Sequence, residues 1–152
     1  MSKGIEVGDK IPYFVLCDQN GKNFNSDTDV KGKITVIYFY PKDDSGVCTK
    51  EACAFRDGYQ HFTDAGIEVV GINAADAESH KRFAEKNRLP FKLLSDAGNK
   101  VIRQFGVKNL MFLTGRETFI INDLGIVIYK FRDFFKGAAH AGAILQFLNH
   151  EK

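Results

Sequence analysis

Hydrophobic and polar residues follow two different periods along the first third of the chain. The segment IPYFVLCDQNGKNF alternates apolar and polar residues around the turn pair Asn20-Gly21, which predicts a β-hairpin. The next apolar run, KITVIYFY at residues 33–40, is rich in β-branched and aromatic residues without clean alternation. Such a run is typical of a strand that is covered on both faces, so we expect it in the centre of a sheet.

A helical period begins soon after this strand. One amphipathic helix is predicted from Val47 to Ala65, because its apolar residues recur at spacings of three and four: Ala52, Phe55, Tyr59 and Phe62. A second strand is predicted from Ile67 to Asn73. A second helix is predicted from Asp76 to Arg88, and the Leu-Pro pair that follows it favours an end there. The order strand, helix, strand, helix indicates parallel strands joined by crossovers.

The second half of the chain adds antiparallel elements. A short strand FKLL at 91–94 and a helix at about 99–105 are followed by the strands GRETFIIND and GIVIYKFRD, which flank a hairpin turn at 123–125. A last amphipathic helix is predicted at 138–149. The chain is therefore predicted to be α/β, a single thioredoxin-like domain over residues 1–152. It would have a mixed central sheet flanked by helices and an N-terminal β-hairpin.

Composition narrows the class of protein. The 152 residues are 44% hydrophobic with a net charge of only +2, so neither nucleic acid nor an anionic membrane is an expected partner. The N-terminus lacks the pattern of a secretory signal, and no apolar run approaches the roughly 20 residues of a spanning helix. We therefore predict a cytoplasmic protein. Its three cysteines are too few for a disulfide scaffold, which favours redox, catalytic or metal-binding roles.

Two of the cysteines lie in the stretch PKDDSGVCTKEACAF, where the central strand gives way to the first helix. Cys48 falls in the first helical turn, where free backbone N–H groups and the helix dipole favour a thiolate. The neighbouring acidic residues Asp43, Asp44 and Glu51 oppose a second negative charge. A thiolate at Cys48 therefore requires a cation from elsewhere in the fold, preferably a rigidly held arginine.

The spacing of Cys48 and Cys53 limits what the pair can form. On an ideal helix their directions differ by about 140° and their Cα atoms lie roughly 8 to 9 Å apart. A disulfide requires Cα atoms within about 7 Å. A bond between these two cysteines therefore requires the helical turn between them to unwind.

Other interpretations of the two thiols remain open from the residues alone. A buried pair of small side chains is one, because free cysteine packs well in cores. Zinc is another, but a closed site needs four ligands, and the remaining candidates form no second cluster: Cys17, His61, His80, His140 and His150. The Cys-x-x-Cys motif of thioredoxin and the cysteines of an iron–sulfur site are absent from the sequence.

The same stretch resembles the active-site loop of the peroxiredoxins, in which Pro, three residues, Thr or Ser, two residues and Cys follow one another. Pro41, Ser45 and Cys48 match this pattern. The surrounding residues are similar to the bacterioferritin-comigratory, or Q-type, branch, whose resolving cysteine lies five positions later and corresponds to Cys53. The similarity continues through FAEKNRLPFKLLSD and GRETFIIND, where Arg116 corresponds to the family's active-site arginine. It covers nearly the whole chain.

The resemblance implies a thiol peroxidase that takes part in antioxidant defence and redox homeostasis. Cys48 would be the peroxidatic cysteine, which attacks hydrogen peroxide or an organic hydroperoxide and becomes a sulfenic acid. Cys53 would resolve it as an intramolecular disulfide, and thioredoxin or glutaredoxin would reduce that disulfide. The resemblance also implies which residues hold the peroxide: Pro41, Ser45, Val47 and Arg116. No metal, haem or flavin is needed for this chemistry.

One departure and two alternatives accompany the resemblance. Ser45-Gly46-Val47 stands where the branch usually has Thr-Pro-Gly, which keeps the hydroxyl but loosens the loop. Because both cysteines lie on one chain, the cycle does not require a dimer, and we expect a monomer or a weak homodimer. A non-catalytic redox sensor would react once and stall, whereas a zinc-stabilised interaction module would lose its fold with a chelator.

Overall fold

The computed structural model describes residues 4–41, 43, 46–107, 116–132 and 137–150. No helix among these residues is both long and apolar enough to cross a lipid bilayer. Within these ranges the strands are β1 Val15–Cys17, β2 Asn23–Asn25, β3 Ile34–Phe39, β4 Ile67–Asn73, β5 Lys92–Ser95, β6 Glu117–Ile121 and β7 Val127–Arg132. The helices are α1 Gly46–Asp57, α2 Tyr59–Asp64, α3 Ala77–Asn87, α4 Lys100–Phe105 and α5 Gly137–His150, with a short 3-10 helix Ala97–Asn99 before α4.

All seven strands form one mixed sheet in the order β2-β1-β5-β4-β3-β6-β7. The three central strands β3, β4 and β5 are parallel, as helical crossovers require, whereas β6 and β7 continue the sheet antiparallel to β3. The strands β1 and β2 pair as the predicted N-terminal hairpin. The predicted fold class, a thioredoxin-like mixed sheet flanked by helices, is confirmed.

Alternate residues of β3 face two separate cores. One set of alternate residues, Val36, Tyr38 and Tyr40, packs in a cluster with apolar residues of α1, α3 and α5. The intervening residues Ile37 and Phe39 pack in a second cluster with α4 and the N-terminal segment. Because all of these side chains are fully buried, β3 is the covered central strand that its unbroken apolar run predicts.

The prediction of one helix from residue 47 to residue 65 is wrong at Gly58. The helical backbone is interrupted there, with φ −89° and ψ 1°, so α1 ends at Asp57 and α2 begins at Tyr59. Phe55 and Phe62 are nevertheless both buried, and their ring centroids lie 6.0 Å apart. Glycine is a weak helix former and permits this interruption. The apolar residues on both sides of it still face the core.

Gly71 in β4 gives the most direct test of packing beneath α1. A Cβ atom on this residue would lie 2.8 Å from Cζ of Tyr38 and 3.0 Å from Cδ2 of Leu93. We expect Gly71→Ala to lower the free energy of unfolding by about 1–3 kcal/mol, because the closely packed neighbouring side chains cannot move far enough to make room for a methyl group. Urea denaturation measures this change. Gly142→Ala, where a Cβ meets nothing within 4 Å, is the control; a Gly71→Ala protein as stable as this control would contradict the expectation.

Candidate active site

The antiparallel pairing of β3 and β6 brings the ends of distant segments together. Phe39, the last residue of β3, pairs with Glu117, the first residue of β6. The chain leaves β3 through Tyr40 and Pro41 toward α1, while Arg116 precedes β6 at the same edge of the sheet. Two segments that are far apart in sequence therefore meet where α1 begins.

The first turns of α1 place Cys48 against Arg116. Cys48 is fully buried and Arg116 is 2% exposed. Nη2 of the guanidinium donates to Sγ of Cys48 at 3.1 Å, and Nη1 donates to Oε1 of Glu51. Burial alone would lower the pKa of Arg116, but the charges of Glu51 and Cys48 raise it. A permanent cation thus lies where the sequence analysis requires one.

The environment of Glu51 changes the acidity of its carboxyl group in a way that the sequence analysis did not predict. Its carboxyl is fully buried, and burial raises its pKa to about 8 against the lowering effect of Arg116. The raised pKa means that burial outweighs the charge of Arg116 at this carboxyl, so Glu51 opposes a thiolate at Cys48 less than an exposed glutamate would. Cys48 and Glu51 are three residues apart and so lie on one helical face, which is a sequence signal that could have indicated their shared contact with Arg116.

His140 on α5 extends the same group of buried side chains. Its Nδ1 lies 2.7 Å from Oγ1 of Thr118 and 3.6 Å from Oε2 of Glu51. The ring of Phe131 meets the imidazole edge-on, with centroids 4.7 Å apart. The sequence analysis considered His140 only as a zinc-ligand candidate outside any cluster, because nothing in its local pattern shows that α5 packs on α1.

The second cysteine of α1 faces a different part of the molecule. Cys53 is half-buried, and its Sγ lies 3.8 Å from Oδ1 of Asn87 at the end of α3. Arg56, one turn further along α1, donates to the backbone oxygen of Asn87 at 2.7 Å. Neither Cys48 nor Cys53 is part of a disulfide, and each contacts a different partner.

The remaining predicted residues lie between β3 and the first turn of α1, on β1, or outside the described ranges. Pro41 is half-buried directly after β3, and Val47 is half-buried in the first turn of α1. Ser45 lies outside the described residues. Cys17 is a free thiol on β1 with Sγ 3.2 Å from the backbone oxygen of Asp18, and no role follows from that contact. The roles assigned to the site residues remain predictions.

No group of three or more metal-ligating side chains occurs among the residues that the structure describes.

Comparison with known proteins shows the family of this chain. Residues 7–130, most of its length, match the AhpC/TSA family. The chloroplastic peroxiredoxin Q of Triticum aestivum is 46% identical over 148 residues, which cover 96% of this chain and 68% of that protein. The chain is a Q-type peroxiredoxin of the AhpC/TSA family.

Solved structures of peroxiredoxins agree with this assignment. Peroxidoxin BcpB from Mycobacterium tuberculosis superimposes with a TM-score of 0.90 at 34% identity, covering 97% of this chain and 99% of that one. The bacterioferritin comigratory protein of Xanthomonas campestris, described for its alkyl peroxide reduction activity, has a TM-score of 0.84 at 29% identity. It covers 94% of this chain and 99% of that one. The assignment to the Q-type branch is confirmed, and this peroxiredoxin is a peroxidase, an oxidoreductase of the antioxidant class.

Proposed function

We propose that this peroxiredoxin reduces hydrogen peroxide and organic hydroperoxides with Cys48, resolves the product with Cys53, and is recycled by thioredoxin or glutaredoxin. The buried guanidinium of Arg116, 3.1 Å from Sγ of Cys48, is the observation that carries the proposal. A cation with several fixed donors at a buried thiol both favours the thiolate and stabilises charge that develops on a departing oxygen. Antioxidant defence follows from this chemistry.

The first step is a two-electron reduction of the peroxide. The thiolate of Cys48 attacks one peroxide oxygen, so an S–O bond forms as the O–O bond breaks. The departing oxide takes up a proton and leaves as water or an alcohol, while Cys48 becomes a sulfenic acid. Arg116 and the backbone N–H groups at the start of α1 are the donors proposed to stabilise this charge.

The second step joins the two cysteines of α1. Cys53 attacks the sulfenic sulfur, an S–S bond forms, the S–O bond breaks, and the hydroxide leaves as water after protonation. The two thiols have different neighbours on a regular helix, so α1 must unwind between them before they meet. A dithiol protein then supplies two electrons by thiol–disulfide exchange and restores both thiols.

The test is peroxide consumption with thioredoxin, thioredoxin reductase and NADPH. We expect Cys48→Ser to abolish turnover and Cys53→Ser to react once without cycling. Cys17→Ser, which removes the free thiol on β1, is the matched control and is expected to keep the wild-type rate. Wild-type protein that consumes a single equivalent of peroxide would contradict turnover with this reductant and favour the sensor.

Substrate range, assembly and location extend the proposal. Alkyl peroxide reduction by the related Xanthomonas campestris protein supports organic hydroperoxides as substrates alongside hydrogen peroxide. A monomer or weak homodimer suffices, because both thiols belong to one helix. The cytoplasmic location remains a prediction from the sequence, and the wheat relative is chloroplastic.

A further inference from the structure

A buried carboxylate fixes the loop that connects β3 to α1. Asp43 is 6% exposed and contacts side chains of β4, of α3 and of the residue that directly follows β3. Its Oδ1 accepts from the Tyr40 hydroxyl at 2.7 Å and from Nδ2 of Asn73 at 3.3 Å. Its Oδ2 accepts from the Ser79 hydroxyl at 2.8 Å, and Nδ1 of His80 lies 2.8 Å from the same oxygen. Against the effect of burial, hydrogen bonds from these neighbours lower the pKa of Asp43, which favours its ionised form.

His80 is held between two acceptors. Its Nδ1 faces the carboxylate of Asp43, and its Nε2 lies 3.0 Å from the backbone oxygen of Leu94 on β5. A neutral imidazole has only one N–H, so it would leave one nitrogen lone pair pointing at an oxygen. The Nδ1 atom of the fully buried His80 lies 2.8 Å from Oδ2 of Asp43, so each of these side chains holds the other in place.

Two titratable groups, Asp43 and Tyr40, face His80. Asp43 faces it from the loop, and Tyr40 faces it from the end of β3, with Oη 3.4 Å from Nδ1. Burial raises the pKa of Tyr40 well above 10, so the phenol is a neutral donor to Asp43. Burial alone would raise the pKa of Asp43, but its hydrogen bond and charge interaction with His80 lower it. From β5, His80 meets the backbone carbonyl of Leu94.

This pair stands immediately before the helix that carries both cysteines. Asp43 precedes the first residue of α1, Gly46, by three positions, and its partners are fixed in the sheet and in α3. The α3 helix is itself anchored at its start, where Asp76 accepts from the backbone N–H of Ser79. The start of α1 is thus tied to a part of the fold that the proposed cysteine chemistry does not disturb.

We propose that Asp43 and His80 form a loop clamp that holds α1 in its folded form and so sets how often Cys53 reaches the oxidised Cys48. The inference rests on the proposed function, because it concerns the unwinding between the two thiols. His80 is a positioning residue in this scheme: it touches neither thiol and acts through Asp43 and the start of α1.

The loop clamp affects the two chemical steps differently. Attack on peroxide requires folded α1, in which Arg116 contacts Cys48, whereas disulfide formation requires unwound α1. While the folded form predominates, loss of one charged hydrogen bond multiplies the small unwound fraction by about tenfold or more and hardly changes the folded fraction. Weakening the clamp therefore accelerates resolution and leaves peroxide attack nearly unchanged.

The first experiment measures both steps in the full-length chain with His80→Asn, Asp43→Asn and the control His61→Asn, which alters an exposed histidine on α2. Quenched-flow alkylation and mass spectrometry follow disulfide formation in each variant. Sulfenic acid formation is followed in the same variants combined with Cys53→Ser. We expect about tenfold faster disulfide formation in the two clamp variants, less than twofold change in peroxide attack, and wild-type rates in the control. Equal changes in both steps, or no change in resolution, would overturn the proposal.

The second experiment uses reduced protein and no peroxide, so it is independent of the proposed function. Amide exchange of residues 46–53 is expected to be about tenfold faster in His80→Asn than in His61→Asn. Unchanged exchange would overturn the clamp, whereas absence of peroxide turnover alone would count against the proposed function.

Discussion

Replacing Arg116 by lysine is expected to slow the reaction of Cys48 with hydroperoxide by about 100-fold or more, the range seen when a fixed donor to a developing oxyanion is lost. The guanidinium donates to Cys48 and Glu51 at the same time through a planar fork. Lysine keeps the charge but is a single ammonium on a flexible stem, so it cannot hold both partners in this geometry. The expected loss is therefore one of positioning rather than of net charge.

Stopped-flow competition for hydrogen peroxide measures this rate directly, before resolution by Cys53. Arg82→Lys on α3 is the matched control, because its side chain is 67% exposed and pairs only at the surface with Glu78. Thermal unfolding of both variants separates a local effect from loss of fold. A folded Arg116→Lys protein that reacts at the rate of the control would contradict the assigned role of Arg116.

Glu51→Gln is expected to change how stability depends on pH. The pKa of Glu51 is raised from 4.5 to about 8 in the folded chain. Between these values the folded state keeps a proton that the unfolded state releases, so this carboxyl stabilises the fold fully at low pH and loses that effect as pH rises toward 8. The free energy of unfolding should therefore fall with a slope that approaches about 1.4 kcal/mol per pH unit from this group alone. Glutamine cannot ionise, so the variant lacks this contribution.

Urea unfolding at a series of pH values from 5 to 8.5 tests the expectation as a difference between wild type and variant. Glu78→Gln is the control, since that carboxyl is 81% exposed. We expect the wild type to lose stability relative to Glu51→Gln as pH rises, and the control to follow the wild type. Parallel curves for wild type and Glu51→Gln would show that burial does not keep this carboxyl protonated.

Elements with a clear period were predictable from the sequence. The strand β4 was predicted with its observed bounds, Ile67–Asn73, because it is a compact apolar run between turn residues. The interruption of the helix at Gly58 was not predictable, since the apolar residues on either side of it keep their helical spacing. Local periodicity reports which face is buried, and one glycine inside it does not reveal whether the backbone bends.

The site was predictable only in part because its contacts span the chain. Sequence reasoning identified the need for a cation near Cys48, but only the family resemblance pointed to Arg116, which is 68 positions away. The contact between Glu51 and His140 depends on how α5 packs against α1, and no local pattern encodes that packing. Likewise, nothing near Asp43 in sequence indicates that His80, 37 positions later, is its partner.

The interruption at Gly58 has a consequence for the return of the enzyme to its reactive form. Helices elongate easily from an existing turn, but their first turn is costly to form. Because the helical backbone is interrupted between α1 and α2, α2 does not provide a continuous template from which α1 can regrow. In the proposed cycle, recovery after reduction therefore includes a nucleation event within α1 itself, which is separate from the exchange of electrons.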